Sequence, residues 1–404
     1  MRLFKINCMR LLLCLFRIFP VVNNRIVFVC HYGKSYACNP KYVYRAMRET
    51  YGEQFQYVWV LNQIHPELEK DVIQVKNKSM AFFYYMMTAK VIVGNNALGS
   101  FLPKRKSQCF MNTWHGGGAY KKVHFDVAAS KADKKIYEIF AAQTDCHLSS
   151  SKMFTQCMTE STKVPMEKFL ETGMPRNDRL IAYARKEQLS SGCQNICGEQ
   201  TIAASTDEEN KKIRQEILKK LGLEDTLSDK KIVLYAPTFR GDANHGHFEN
   251  TLNPKAVLES LEKRFSGQWI MLFRGHHKIP GMEIDRCINV TDYEDMQEIL
   301  LCADALITDF SSVMWDYMFL QRPGFLYIPD LEKQQKEHPF YTEVKDWPFG
   351  AAVSNGELCK LIESYNSKEA MDKIEAHKKL LGNVETGQAC EKVLEYISKI
   401  CGIH

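Results

Sequence analysis

The sequence predicts an α/β protein built of two doubly wound halves, each a parallel sheet with helices on its faces. Three observations predict it. Short β-rich apolar runs alternate with helical patterns along most of the chain, the order that parallel sheets require. At 404 residues the chain exceeds one ordinary hydrophobic core, so two domains are expected. Several apolar runs end in glycine, hydroxyl and cationic residues, which sets polar side chains at the carboxyl edge of a sheet, where open α/β sheets bind ligands.

Composition narrows the function. With 45% hydrophobic and 25% charged residues the chain is globular. A net charge of +5, thinly spread and without zinc-finger or RNP patterns, argues against nucleic acid as a partner. Fourteen cysteines, scattered from Cys8 to Cys401 with no repeating spacing, suit a reducing cytosol. Cys193 and Cys197 are the close pair, but no second ligand pair lies nearby, so neither zinc nor another metal or cofactor is expected.

Met1 to Pro20 carries Arg2, Lys5, Arg10 and Arg17 and no acid. On a helix those cations fall within roughly 140° of arc, with Leu3, Phe4, Leu11, Leu15, Phe16 and Ile18 mostly opposite. The apolar run is far short of the ~20 residues of a membrane span, and no small-residue cleavage site follows. The expectation is a helix lying on the cytoplasmic leaflet, the alternative a helix packed on the protein's own core. Strands are then expected at Arg25 to Cys30, Tyr57 to Leu61, Val72 to Val75, Lys90 to Gly94 and Cys109 to Trp114. Ser79 to Thr88, apolar almost all round, reads as a buried helix. The last of these strands runs into His115, Gly116, Gly117 and Gly118, a histidine beside backbone that a ligand can approach closely, with Lys121 and Lys122 following. TGMPRND adds Arg176, whose fork-shaped cation suits either a carboxylate partner or an anionic ligand. Ser190 to Asn210, polar and without period, is the expected interdomain linker.

The second half opens with Ile232 to Tyr235, followed by Pro237, Thr238 and Arg240. His245 and His247 lack a third ligand and make no metal site. The strand Gln268 to Phe273 ends in Arg274, Gly275, His276 and His277, where a cation and an imidazole can face a diphosphate together. Ala305 to Asp330 then reads as strand, hydroxyl-rich turn (Thr308, Asp309, Ser311, Ser312), helix, turn and strand. Serines at a helix start serve as N-caps or, with the unpaired N–H groups beside them, cradle a phosphate. Asp316 lies one turn after Ser312 on the same face. Glu357 to Ile400 reads as two or three closing helices.

ITDFSSVMWDYMFLQRPGFLYIPD resembles the signature of the CDP-glycerol glycerophosphotransferase family of teichoic-acid and capsule enzymes, in which a T-D-Y/F-S-S turn precedes an Asp near the helix start. HYGKSYACNPKYVY, GNNALGSFLP, TWHGGGAYKK, TGMPRND, YAPTFR and FRGHH occur in the family's order, and together the blocks span roughly residues 25 to 330. The resemblance implies a GT-B-like pair of Rossmann-like domains with an interdomain cleft. In the family an H-G-T-P-L-K-K segment contributes a catalytic histidine, so His115, Gly116, Lys121 and Lys122 carry over, whereas Gly117, Gly118 and Ala119 depart. From the family's Arg-x-His-Pro, Arg274 and His276 carry over, and His277 replaces the proline, which frees the backbone and adds a titratable ring. For Arg176 the resemblance implies contact with nucleotide phosphate or substrate.

The expected organisation is therefore a basic helix at 1–22, an acceptor domain at 23–210, and a CDP-alditol domain with closing helices at 211–404. The expected reaction is transfer of glycerol phosphate from CDP-glycerol to a hydroxyl of a membrane-linked glycan or polyol-phosphate acceptor, with CMP leaving, at an anionic membrane surface on the cytoplasmic face. Catalysis is assigned to His115 as base and to His276, and donor binding to Gly116, Arg176, Pro237, Thr238, Arg274, Thr308, Ser311, Ser312 and Asp316. The alternatives are CDP-ribitol as donor, a nucleotide-sugar glycosyltransferase or epimerase on the same fold, and a catalytically silent membrane-associated binding protein.

Overall fold

A computed structural model describes residues 2–128, 130–192, 200–240, 250–275 and 283–403. Its first sheet has seven strands: β1 (Val22–Val29), β2 (Gln56–Val60), β3 (Ile73–Val75), β4 (Ala89–Gly94), β5 (Cys109–Asn112), β6 (Cys146–Leu148) and β7 (Phe169–Leu170). They lie in the order β3-β2-β1-β4-β5-β6-β7, every neighbour parallel. The winding reverses between β1 and β4, so the loops after those strands part and open a crevice. Both faces are covered, which is why the strands read as continuous apolar runs. Ile26, Phe28, Trp59 and Met111 meet Val393 and Ile397 of the helix Ala389–Cys401 on one face. Val27, Val58, Ile92 and Phe110 meet Phe82 and Met86 of the helix Met80–Thr88 on the other. That second helix is less enclosed than its composition suggests, for Met80 is exposed.

The second sheet has six strands: β8 (Lys231–Ala236), β9 (Trp269–Phe273), β10 (Cys287–Asn289), β11 (Ala305–Thr308), β12 (Gly324–Tyr327) and β13 (Gly350–Ala352). Their order is β10-β9-β8-β11-β12-β13, again all parallel, with the reversal between β8 and β11. Val233, Met271, Phe273 and Ile307 pack with Val257 and Leu261 of the helix Pro254–Phe265 and with Leu358 and Ile362 of Asn355–Glu363. Gly324 opens β12 with the Phe349 ring so close that an added Cβ would lie 2.6 Å from it, so the first position of the strand requires glycine.

The chain divides at Asp178/Arg179, not near residue 210. One compact unit comprises 1–118, 122–178 and 382–404, the other 119–121 and 179–381. The expected linker is helical where described, in Asp178–Gly192 and Gln200–Lys220, because the Ala, Glu and Lys that follow its polar start favour helix. Cys193 and Cys197 lie outside the described residues. Of the closing helices, Asn355–Glu363 and Ser367–Leu381 stay with the second sheet, while Ala389–Cys401 belongs to the first. Asp178 explains part of that return. Its carboxylate accepts from Ala389 N (3.0 Å) and Cys390 N (2.7 Å), capping this distant helix.

The N-terminal segment forms a helix, Arg2–Leu13, and a tighter turn, Cys14–Ile18. One side of it packs on the core of the first sheet, and the other turns an apolar row outward. Arg10 and Arg17 donate to the carbonyls of Ser100 (2.8 Å) and Pro103 (3.5 Å), and Arg105 returns a bond to Phe16 O (2.6 Å). Leu13 joins the Phe82 and Met86 cluster, while Phe4, Leu11, Leu12, Leu15 and Ile18 are 63% to 80% exposed. The bonds to the carbonyls of Ser100, Leu102 and Pro103 tie the Arg10 and Arg17 side chains to the 97–103 loop, while the apolar row stays exposed. No helix among the described residues is long and apolar enough to cross a membrane.

Candidate active site

In the first unit the loops after β1, β4 and β5 bring His31, Asn95 and His115 together. The His115 Nδ1 lies 3.0 Å from Asn95 O. A carbonyl only accepts, so Nδ1 carries the proton and the neutral ring keeps its lone pair at Nε2. The Asn95 side chain accepts from His31 N (2.9 Å), and the His31 ring stands edge-on to His115 at 6.4 Å. Trp114 stacks on His115 with ring centres 4.8 Å apart. His115 retains solvent-exposed surface, yet the atoms packed about it displace enough water to hold its pKa below the ordinary 6.5. The Arg176 charge pushes the same way, and the bond to Asn95 opposes it.

The strain in these loops is concentrated. His31, Tyr32, Cys38, Trp114 and His124 all have positive φ, between 45° and 59°, a conformation that side chains with a Cβ adopt at a cost of roughly 1–3 kcal/mol each. Their setting is braced from beneath. Asn39 donates to the carbonyls of Thr113 (2.9 Å) and Trp114 (3.1 Å) and accepts from Arg176 N (3.1 Å). Arg176 donates to His115 O (2.7 Å) and Cys38 Sγ (3.3 Å). It is 5% exposed, so it fixes the backbone that carries His115. Gly116 is buried beside it, and Gly118 N donates to Ser150 Oγ (3.0 Å).

In the second unit Asp309, at the end of β11, accepts from Thr238 N (2.9 Å), Thr238 Oγ1 (3.0 Å) and Arg240 Nη1 (2.8 Å). Arg240 also forks onto Asp330, with Nε at 2.6 Å and Nη2 at 3.0 Å, and its guanidinium lies 5.4 Å from the centre of the Phe310 ring. Lys121 Nζ sits 5.8 Å from the same ring, and burial holds its pKa below the ordinary lysine value while Asp309 raises it. The preceding Tyr120 is anchored: His377 gives its Nδ1–H to Asp346 O (2.6 Å), so Nε2 accepts from the tyrosine hydroxyl (2.8 Å). Burial pushes His377 down to about 4. Arg274, at the end of β9, donates from its backbone to Tyr235 O and from Nη2 to Glu294 O (3.2 Å). Its Nη1 is buried and has no partner among the described residues, and burial pushes its pKa down to about 10. A guanidinium N–H left without an acceptor at the carboxyl edge of a sheet is a place for an anion.

Several expected contacts are otherwise engaged. Thr308 is fully buried and its hydroxyl donates to Ala236 O (2.7 Å), locking β11 to β8, because the strand's last side chain turns toward its neighbour. Asp316 is 2% exposed and accepts from Gln297 Nε2 (3.1 Å); the face it shares with Ser312 points into the core at its second turn. Pro237 is buried, and the Thr238 hydroxyl serves Asp309. Ser311 Oγ accepts from Val313 N (3.3 Å), while Ser312 makes no capping bond, and both are half-buried. His276, His277, His245 and His247 lie outside the described residues. Among the described residues no group of three or more His, Cys, Asp or Glu could hold a metal ion. Sequence reasoning missed His31 and the hub role of Asp309 with Asp330. The signal for His31 was present, since FVCHYG sets a histidine directly after a strand just as NTWHGG does.

A model of the family described as CDP-Glycerol:Poly(glycerophosphate) glycerophosphotransferase matches residues 11–207 and 203–399. The chain belongs to that family. It is 28% identical over 395 residues to the teichoic acid glycerol-phosphate transferase of Staphylococcus aureus (strain NCTC 8325 / PS 47), with 93% of each chain covered. It is also 28% identical over 404 residues to the teichoic acid poly(glycerol phosphate) polymerase of Staphylococcus epidermidis, where 93% of this chain spans 50% of the polymerase. Among solved structures, a histidine variant of the wall teichoic acid polymerase TagF soaked with CDPG superposes with a TM-score of 0.79 at 26% identity, covering 98% of this chain and 94% of that one. The family's architecture, two Rossmann-like sheets of GT-B-like type, is the one expected from the sequence.

Proposed function

We propose that this glycerophosphotransferase family member moves glycerol phosphate from CDP-glycerol to a hydroxyl of a membrane-linked glycan or polyol-phosphate acceptor. The acceptor oxygen attacks the phosphorus that bears glycerol. A new P–O bond forms, the bond to the CMP phosphate breaks, and CMP leaves with the electron pair. The observation that carries this reading is the His115 ring: its Nδ1–H is committed to Asn95 O, its Nε2 lone pair is left to take the acceptor's proton, and its depressed pKa keeps that lone pair available at neutral pH. Arg274, whose Nη1 has no partner among the described residues, supports a diphosphate subsite with Ser311 and Ser312, and His276 is assigned to it from its place in the sequence alone. Arg176 and Thr238 act one layer back, holding the loops.

The exposed row Phe4, Leu11, Leu12, Leu15 and Ile18, with Arg10 and Arg17 at its base, supports peripheral binding to an anionic leaflet on the cytoplasmic side. Incubating the protein with a lipid-linked polyol-phosphate acceptor and CDP-glycerol, CDP-ribitol or a UDP-sugar, and weighing the products by mass spectrometry, tests the reading. A glycerol-phosphate increment with release of CMP is expected; a ribitol-phosphate or sugar increment in its place overturns the donor assignment.

A further inference from the structure

Beside the loop that follows β4 lies a cavity of about 250 Å3 within the first unit. Phe82, Met86, Ile92, Leu98, Leu102 and Phe110 line it, and its polar lining is confined to Tyr32, Asn77, Lys78 and Asn96. Tyr32 and Lys78 are exposed, so they mark the opening. Asn96 Oδ1 is buried with no hydrogen-bond partner among the described residues, an acceptor without a donor. Protein interiors are close-packed, and an apolar void of this size is a place for an apolar ligand.

We propose that this cavity takes one hydrocarbon chain of the acceptor's lipid, with the chain's polar end at Lys78 and Asn96. Two further features of the fold identify the occupant. The 97–102 loop that forms one wall is also the seat of the N-terminal helix, through Arg10 to Ser100 O and Leu102 O, and that helix turns its apolar row outward. A cavity that shares a wall with the seat of such a helix meets lipid chains before it meets any other apolar solute. The end of β4 couples the cavity to the chemistry: Asn95 O holds His115 Nδ1, and the next residue, Asn96, lines the cavity. A chain seated there brings its molecule alongside the proposed base. The inference rests on the reading above that the acceptor is held in a membrane.

Ala97→Phe fills the cavity from its wall, and Lys78→Glu changes only the exposed rim, so one variant survives even if the other fails to fold. Two synthetic acceptors that share one polyol-phosphate head and end in a decyl chain or a methyl group are compared with CDP-glycerol as donor. The KM for the decyl acceptor is expected to be roughly fifteenfold to sixtyfold below that for the methyl acceptor, as two or three methylenes withdrawn from water would give. Ala97→Phe is expected to abolish that difference while leaving kcat and the methyl acceptor's KM unchanged; equal KM values in the wild type, or an undiminished preference in Ala97→Phe, overturn the proposal. Dansyl-undecanoate gives a readout independent of turnover: saturable binding, weakened in both variants, supports the cavity as a chain site, and binding that neither saturates nor responds to either variant refutes it. If the wild type turns over neither acceptor, the transferase reading fails, and the dansyl probe still decides the cavity.

Discussion

Replacing Arg240 with methionine removes the guanidinium that bridges Asp309 and Asp330. The Asp309 side chain is 2% exposed and that of Arg240 14%, so the charge left behind cannot reach water. Truncating one partner of a buried ion pair costs about 3–5 kcal/mol. Thr238 still donates to Asp309 from N and Oγ1, which sets the loss at the low end, about 3 kcal/mol. In a unit of this size that is a fall in midpoint of roughly 6–12 °C. Asp309→Asn removes the other charge, and the double variant is expected to recover at least about 1.5 kcal/mol relative to the sum of the singles. Urea unfolding of the four proteins measures these quantities, and donor titration adds a functional readout, since a loosened β8 loop raises the KM for CDP-glycerol. A loss below about 1 kcal/mol in Arg240→Met, or additive singles, refutes the account of Asp309 as the hub that ties the two loops.

Arg274→Gln keeps donor N–H groups but loses the charge; a charge-assisted bond contributes roughly 1.5–3 kcal/mol, so the KM for CDP-glycerol should rise about tenfold to a hundredfold, and a change within about twofold contradicts an anion at Nη1. The His115 pKa lies below 6.5, and Nε2 is lost as a base when the ring is protonated, so the acid limb of the kcat/KM profile should fall at a pH below 6.5; a limb above that value contradicts the assignment. His147 is fully buried with its pKa pushed from 6.5 down to about 4, so the unfolded chain takes up a proton as pH falls below 6.5 while the folded one does not. Stability is therefore lost between pH 6.5 and about 4, on the order of 3 kcal/mol from this ring, and His147→Gln should flatten the acid side of a urea-midpoint profile.

Strand positions were legible because β-branched and aromatic residues on doubly covered strands leave little ambiguity: Tyr57–Leu61 became Gln56–Val60, and Ile232–Tyr235 became Lys231–Ala236. Strand ends were less so. β5 stops at Asn112, short of Trp114, because Trp114 turns to φ 52° to set His115 against Asn95, a backbone choice that no side-chain pattern records. The division at Asp178 was hidden for a similar reason: it depends on a helix two hundred residues downstream coming back to be capped. Side-chain roles followed burial. Thr308 and Asp316 carry the chemistry expected of ligands, but their directions into β8 and the core are fixed by packing, whereas Arg274 keeps one donor without a partner among the described residues.

The most direct test is CMP release from CDP-glycerol by His115→Asn, with CDP-glycerol affinity measured separately by calorimetry. Asparagine can still donate toward Asn95 O but offers no base. Unchanged donor affinity and a kcat lower by about a hundredfold to ten-thousandfold are expected if His115 is the base. A kcat near that of the wild type, with the donor bound normally, would contradict that assignment.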